Sequence, residues 1–198
     1  MQRLLYFLLF LLLAQSLEAQ TFLQRYESAS NDTIYMVDIA PNADGGVFAL
    51  ATIGQQSIFD SVQSAVVLRL AGDGDFEWSK SYQTESMSIV NDLQPTQDGG
   101  FLVVGSVDFA EDAYVFKADA NGNVLWTRRI GDGERQILYE VLPTADGGYV
   151  LAGAYDNFPK YELFLTKLDN AGNELWSRRY NIDDEVDQFS FSLVELPN

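Results

Sequence analysis

Apolar residues after position 20 fall in short alternating or continuous runs that turn residues separate, and no stretch keeps a helical period. Residues 136–142 alternate polar and apolar side chains, which predicts a half-buried strand. Residues 149–153 are continuously apolar, which is typical of a strand buried on both faces. Residues 163–168 and 174–180 add two further strand signals, and turns rich in Asp, Asn and Gly join all of them. The pattern predicts antiparallel hairpins in an all-β protein.

This set of signals recurs along the chain. The recurring features are an Asp-Gly-Gly turn and a tryptophan in a strand, at Asp44, Asp98 and Asp146 and at Trp78, Trp126 and Trp176. The tryptophans lie 48 and 50 residues apart, and a period of about 50 residues with several strands per unit is typical of β-propeller blades. Aligned on tryptophan, the repeats are residues 22–77, 78–125, 126–175 and an incomplete 176–198.

We therefore predict about three and a half blades of four antiparallel strands, which is fewer than a closed propeller contains. Residues 22–26 are expected to form an outer-type strand. Because Pro197 occupies the same repeat position as Pro143, the next Asp-Gly-Gly turn is expected beyond residue 198, and the reading frame is interpreted as truncated. Such a chain would form an open arc with an exposed edge at each end, and self-association through edge strands is a further expectation.

The first 19 residues have the pattern of a signal peptide, since Arg3 precedes a short apolar stretch that ends before a small-residue cleavage site at Ala19. No later stretch reaches the roughly 20 apolar residues of a membrane helix. We expect a secreted protein, extracellular or at the cell surface, with the periplasm as the alternative. Residues 20–198 are predicted to be one partial propeller.

Composition narrows the possible chemistry. The chain has no cysteine and no histidine, which excludes disulfides, thiolate metal ligands and the commonest general base. The formal net charge of −17 argues against nucleic acid and anionic membrane surfaces as partners, because both are bound by clustered cations. An acidic surface suits cations or a basic partner.

The repeat also resembles a known family. Asp-Gly-Gly-Tyr-Val-Leu-Ala-Gly at residues 146–153 and Lys-Leu-Asp-Asn-Ala-Gly-Asn-Glu-Leu-Trp at residues 167–176 resemble a repeat of secreted bacterial β-propeller proteins. Such proteins occur in gram-negative bacteria with a type IX secretion system, and the Asp-x-x-Gly-x-x-x-Trp part is similar to quinoprotein-type blades. The resemblance implies four-stranded blades along nearly all of residues 20–198. No cofactor-facing position of the quinoproteins is matched, and no cofactor is predicted.

Most repeated polar residues are interpreted as architectural. An aspartate before Gly-Gly stabilises a tight turn through its own backbone hydrogen bonds, and a tryptophan at fixed phase in a strand is expected to pack between blades. Two sets of repeated cations are expected to form ion pairs or to cover apolar surface with their stems: Arg69, Lys117 and Lys167, and Lys80, Arg128 and Arg178.

Two features suggest binding. Asp119, Asn121 and Asn123 have the one-three-five spacing of a calcium loop, although the distal bidentate glutamate is missing, so calcium is only a weak candidate beside a turn role. The loops at the end of the blades away from the Asp-Gly-Gly turns vary in length and sequence, and binding residues concentrate on such loops. The candidate residues of this variable face are Phe59, Asp60, Asp108, Phe109, Asp112, Asp156, Phe158, Tyr161, Asp183 and Asp184.

The sequence favours a secreted, non-catalytic β-propeller that binds an unknown protein or glycan. One alternative is part of a propeller enzyme, quinoprotein-like or polysaccharide-acting, whose active residues lie outside this chain. Another is a periplasmic assembly scaffold, against which the absence of a lipid-bearing cysteine counts. No catalytic residue is nominated, because the carboxylates are numerous and none is distinguished from the rest.

Overall fold

The computed structural model describes residues 33–54, 64–82, 87–107, 112–131, 135–157, 159–181, 187–188 and 192–195. All regular structure within these residues is β-strand, so the all-β prediction is confirmed there. The predicted signal peptide at residues 1–19 and the predicted strand at residues 22–26 lie outside the described residues.

Twelve strands make up the described fold. They are β1 (Thr33–Pro41), β2 (Val47–Gly54), β3 (Ser64–Leu70), β4 (Phe76–Tyr82), β5 (Met87–Pro95), β6 (Phe101–Val107), β7 (Asp112–Ala118), β8 (Val124–Ile130), β9 (Gln136–Pro143), β10 (Tyr149–Asn157), β11 (Lys160–Leu168) and β12 (Glu174–Tyr180). They form three four-stranded sheets in the orders β1-β2-β3-β4, β5-β6-β7-β8 and β9-β10-β11-β12, and each pair of neighbours is antiparallel. We call these sheets the first, second and third blade.

Each blade is a meander of one continuous stretch of chain, and its last strand carries the tryptophan. The tryptophan-aligned repeats therefore straddle the boundaries between blades. In a meander, the first and third connections lie at the same end, so the Asp-Gly-Gly turns and the Gly-Asn turns share one end of the fold, the turn face. The second connections lie at the opposite end, where the sequence placed its variable face.

The Asp-Gly-Gly turns have the geometry that their sequence predicts. In the second blade, the carboxylate of Asp98 accepts a hydrogen bond from the backbone N–H of Gly100 at 3.3 Å. A Cβ atom on Gly100 would overlap the carbonyl oxygen of Ala118, because the turn crosses closely over the end of β7. The aspartates of the other two turns, Asp44 and Asp146, make the equivalent bond at 2.9 and 3.0 Å.

The blades stack face to face. Strand β1 contacts β5, and β5 contacts β9, so the first strands of successive blades are neighbours. One core fills the first junction, between the first and second blades, around Phe48, Phe101 and Phe116. A second core fills the second junction, between the second and third blades, around Leu102, Leu138 and Leu151. The described residues form a blade-like stack and no closed ring.

A carboxylate on the first strand of each blade reaches toward the next blade. Asp38 accepts a hydrogen bond from the backbone N–H of Leu93 at 3.1 Å, and Asp92 accepts one from that of Val141 at 2.8 Å. Burial, with a smaller contribution from the nearby Asp38, raises the pKa of Asp92 to about 7. The counterpart in the third blade is Glu140, whose buried Oε2 has no hydrogen-bond partner within the described residues.

Candidate functional site

Three repeated cations lie beneath the turn face, each paired with the turn aspartate of its own blade. Lys117 Nζ donates to Asp98 at 2.5 Å, and Lys167 Nζ donates to Asp146 at 2.8 Å. In the first blade, Arg69 makes the corresponding ion pair with Asp44. Partial burial acts to raise the pKa of Asp98, but the hydrogen bonds from Lys117, Thr96 and the Gly100 N–H, together with the charge of Lys117, outweigh burial and lower that pKa. The architectural interpretation of these cations is confirmed.

Trp78 and Trp126 pack between blades, as predicted. Trp126 lies against Gly172 of the next blade so closely that a Cβ atom there would come within 2.9 Å of the indole ring. Trp78 lies against Gly122 in the same way, at 3.0 Å. Both glycines have positive φ, 77° and 73°, a conformation that other residues rarely adopt. The tight turn and the flat ring therefore fit each other only because the side chain is absent.

Polar groups beside each tryptophan bind the same turn. Arg128 Nε donates to the carbonyl oxygen of Gly172 at 2.7 Å, and its Nη2 donates to that of Ala171 at 2.9 Å. In the first junction, Lys80 Nζ donates to Asn123 Oδ1, and the Tyr82 hydroxyl donates to the carbonyl oxygen of Gly122, both at 2.8 Å. The first and second blades thus each bind the Gly-Asn turn of the next blade.

A cleft of about 310 Å³ opens on the turn face of the second junction, between the Asp-Gly-Gly turns of the second and third blades. Its polar lining comes from Thr96, Gln97, Asp98, Lys117, Thr144, Tyr149 and Asn170. The Tyr149 hydroxyl donates to Asn170 Oδ1 at 2.8 Å, and Lys117 Nζ lies 3.3 Å from the same oxygen. A buried cation and a buried phenol therefore both contact an exposed amide in the lining of the cleft.

Two groups of this lining, the phenol of Tyr149 and the amide of Asn170, are specific to the second junction. In the first junction, Phe101 occupies the position of Tyr149, and Ala120 occupies the position of Asn170. Tyr149 and Asn170 are not among the residues that the sequence predicted to bind, since those lie on the variable loops or in the calcium-like spacing. The sequence does carry a signal that could have identified them, which is a departure from the repeat. Tyr149 and Asn170 bring a hydroxyl and an amide to positions where the preceding repeat has apolar side chains.

The predicted variable-face residues fall into two groups. Seven of them lie outside the described residues: Phe59, Asp60, Asp108, Phe109, Phe158, Asp183 and Asp184. Asp112 pairs with Arg129 at 2.7 Å, and Asp156 pairs with Arg135 at 3.3 Å, so both carboxylates have partners in their own blades. Tyr161 donates its backbone N–H to Asp187 at 3.0 Å. None of these three residues lines the cleft of the turn face.

The weak calcium candidate forms a turn. Asp119 Oδ1 accepts hydrogen bonds from the backbone N–H groups of Asn121 and Asn123 at 2.9 and 2.8 Å. Its Oδ2 accepts one from the side-chain amide of Asn123 at 2.9 Å. These bonds, led by those from Asn123, lower the pKa of Asp119. In the described part of the chain, no three acidic side chains are grouped closely enough to hold a metal ion, and no helix there could cross a membrane.

Comparisons with known proteins are sparse. No protein-family model matches the chain, and no curated protein matches it. A mutant of the Synechocystis apocarotenoid oxygenase (ACO) is a similar solved structure, with 11% identity and a TM-score of 0.46 over 71% of this chain and 37% of that one. An ACO/RPE65 chimera is similar with 11% identity and a TM-score of 0.49 over 76% of this chain and 40% of that one. The chain spans about two fifths of the length of these structures, and similarity this low says nothing about its activity.

Proposed function

We propose that this chain is a secreted, non-catalytic binding module built from β-propeller blades, and that its ligand enters the cleft of the second junction. The observation that carries the proposal is the replacement of Phe101 and Ala120 by Tyr149 and Asn170 at equivalent repeat positions. The ion pairs within blades recur in all three blades, and the tryptophan contacts between blades recur in both junctions. A hydroxyl and an amide that do not recur are therefore assigned to binding.

The chemistry of the cleft favours a hydroxyl-rich ligand such as a glycan. Asn170 Oδ1 accepts hydrogen bonds from Tyr149 and Lys117, and the amide NH₂ of the same side chain can donate to a ligand acceptor. The phenol oxygen of Tyr149 can accept a hydrogen bond while it donates to Asn170. Sugar hydroxyls both donate and accept. A cleft of about 310 Å³ is at the lower end of the range for ligand pockets, about 300–1,000 Å³, which suits a terminal sugar unit.

The test uses residues that the repeat itself supplies. Tyr149→Phe and Asn170→Ala install the side chains of the first junction, so the blades should still pack. We expect a glycan array to give retained ligands for the wild-type protein, and calorimetry to give affinities at least about tenfold weaker for the double variant, since its cleft cannot match the ligand's polar groups. The melting temperature should change little.

Asp112→Asn, on the variable face, is the matched control and should bind like wild type. Equal affinity in the wild-type protein and the double variant would contradict the assignment of the cleft. Release of product from a retained polysaccharide would instead support the polysaccharide-acting alternative. Export is tested separately, by determining the amino terminus of the protein in the medium, which is expected at Gln20.

A further inference from the structure

Besides the cleft of the turn face, the second junction has another hollow of about 280 Å³. It lies beside the end of β8, toward the variable face. Its lining includes Ile130, Gln136, Tyr155, Phe164, Ser177 and Arg179. We call it the outer groove. The first junction is filled at this level by Tyr82 and Phe116, whose ring centroids lie 4.8 Å apart. Their counterparts in the second junction are Ile130 and Thr166, so two aromatic rings are missing.

Arg179 distinguishes this groove from an ordinary packing defect. Its guanidinium lies over the Tyr155 ring, 4.1 Å from the centroid. Within the described residues it makes no ion pair, although the chain has 29 acidic residues and 12 cations. The repeat counterpart, Arg129, shows the ordinary arrangement, because both its Nε and Nη2 donate to Asp112, at 3.0 and 2.7 Å.

Stacking on an aromatic ring holds a guanidinium flat and leaves its edge free to donate hydrogen bonds. A planar donor fork of this kind matches a carboxylate, which it can bind through two parallel bonds. Ser177 adds a hydroxyl beside it, and that hydroxyl donates to Thr166 at 2.9 Å, so its oxygen can still accept. The groove is lined by two cations, Arg178 and Arg179, and by one carboxylate, Glu174, so its lining is net positive on a protein that is otherwise strongly acidic.

We propose that the outer groove binds a carboxylate-bearing ligand, with Arg179 as the anion-binding residue and Tyr155 as its stacking support. An acidic sugar is the ligand that fits a groove with this lining, because a carboxylate can face Arg179 while ring hydroxyls face Ser177. This site is separate from the cleft of the turn face and does not depend on the function proposed for it.

Titration of the full chain with galacturonate, with acetate and with neutral galactose tests the proposal, followed by NMR chemical shifts or calorimetry. We expect galacturonate to bind at least about tenfold more tightly than galactose, since only the first can form charge-assisted bonds to the guanidinium. Acetate should compete with it. Arg179→Met should weaken galacturonate binding at least about tenfold with the melting temperature nearly unchanged, because Arg179 is exposed.

Lys160→Met is the charge-matched control, since it removes one cation from the same blade away from the groove, and it should bind like wild type. Tyr155→Val, which installs the residue of the second blade at that position, provides a second variant and should also weaken binding. No saturable response to either galacturonate or acetate would overturn the proposal. So would equal affinity in Arg179→Met, or equal affinity for galactose. The double variant of the turn-face cleft should bind galacturonate like the wild-type protein. The proposals for the two sites can therefore be refuted independently.

Discussion

The two junctions between blades are built from the same repeat but are filled differently. In the first junction, aromatic rings meet in a continuous cluster, with Phe48 and Phe101 at 4.8 Å between centroids and Tyr82 and Phe116 at the same distance. In the second junction, the only aromatic pair within the described residues is Trp126 and Tyr149, at 6.0 Å. Aliphatic side chains supply most of its core, and a hollow lies toward each end.

The two junctions share the contacts that join one blade to the next but differ in the side chains that fill the space between the blades. Both junctions keep the tryptophan on the glycine turn, the cation beside it and the carboxylate that bonds the next first strand. These contacts fix the spacing of the blades, so the filling can change without loss of the stack. A repeat protein can in this way convert one packed junction into a binding surface through a few substitutions.

The largest expected effect on the free energy of unfolding comes from removing an aromatic ring from the first junction. Phe101 is fully buried and contacts four aromatic neighbours. Phe101→Ala should lower the free energy of unfolding by about 3–5 kcal/mol, measured by urea denaturation, because it removes buried surface and leaves a cavity. Tyr149→Phe, at the same position of the other junction, should change it by less than about 1.5 kcal/mol. Similar losses in both variants would show that the hydroxyl bond of Tyr149 stabilises its junction as much as a whole buried ring.

The next effect concerns the contact that the junctions share. Gly172→Ala places a methyl group against Trp126 and forces alanine into positive φ, so we expect a loss of about 2–4 kcal/mol in urea denaturation. Gly147→Ala is the matched control, because Gly147 has a similar φ of 82° but no atom within 4 Å of the added carbon. That control should lose only about 1–2 kcal/mol. Equal losses would mean that the indole contact contributes nothing.

A smaller effect is expected from the buried cation of the cleft. Lys117→Met keeps the apolar stem and removes the bond to Asp98, a partner that is 52% exposed, so the loss at pH 7 should be about 1–2 kcal/mol. The pKa of Asp98 is lowered from 3.8 in the folded state, so its stabilisation is present above that value and is lost as the pH falls. The difference in melting temperature between variant and wild type should therefore shrink below pH 4. An unchanged melting temperature at pH 7, with ligand affinity lost, would contradict this structural role.

The smallest expected effect distinguishes the carboxylates that link the blades. Because the folded-state pKa of Asp92 is raised from 3.8 to about 7, its protonation stabilises the fold at low pH, and that contribution is lost as the pH rises through 7. Asp92→Asn keeps an oxygen for the Val141 N–H, so it should flatten the pH dependence of the melting temperature between pH 4 and 8. At pH 8 it should stabilise the fold by about 1 kcal/mol.

Asp146→Asn is the opposite control, since the pKa of Asp146 is lowered by its bond to Lys167. That variant should lose stability at neutral pH and approach wild type as the pH falls. A stability curve for Asp92→Asn parallel to that of wild type would show that Asp92 is ionised throughout this range.

Sequence periodicity was sufficient to predict the strands and the turns, because each depends on neighbours within a few residues. It also predicted the tryptophan packing, since a bulky ring at a fixed phase needs a surface to cover. The cleft was not predicted, because Tyr149 and Asn170 are joined only by the turn geometry of the third blade. Nor could the sequence show that Arg129 is paired while Arg179 is stacked, since the two share a repeat position and differ only in what lies opposite them.

The contact between each tryptophan and the glycine turn of the next blade also affects the order in which the chain can fold. Trp78 is covered by a glycine that lies 44 residues later in the chain, and Trp126 by one that lies 46 residues later. A chain that leaves a pore amino terminus first must therefore expose each indole until the following blade has emerged and folded. Each folded blade then provides the surface on which the next blade packs, as in stacked repeats whose stability is approximately a sum of nearest-neighbour terms. As the chain emerges during synthesis, the tryptophan that emerged last is the exposed one, so its fluorescence would report how far folding has advanced and a chaperone would bind there.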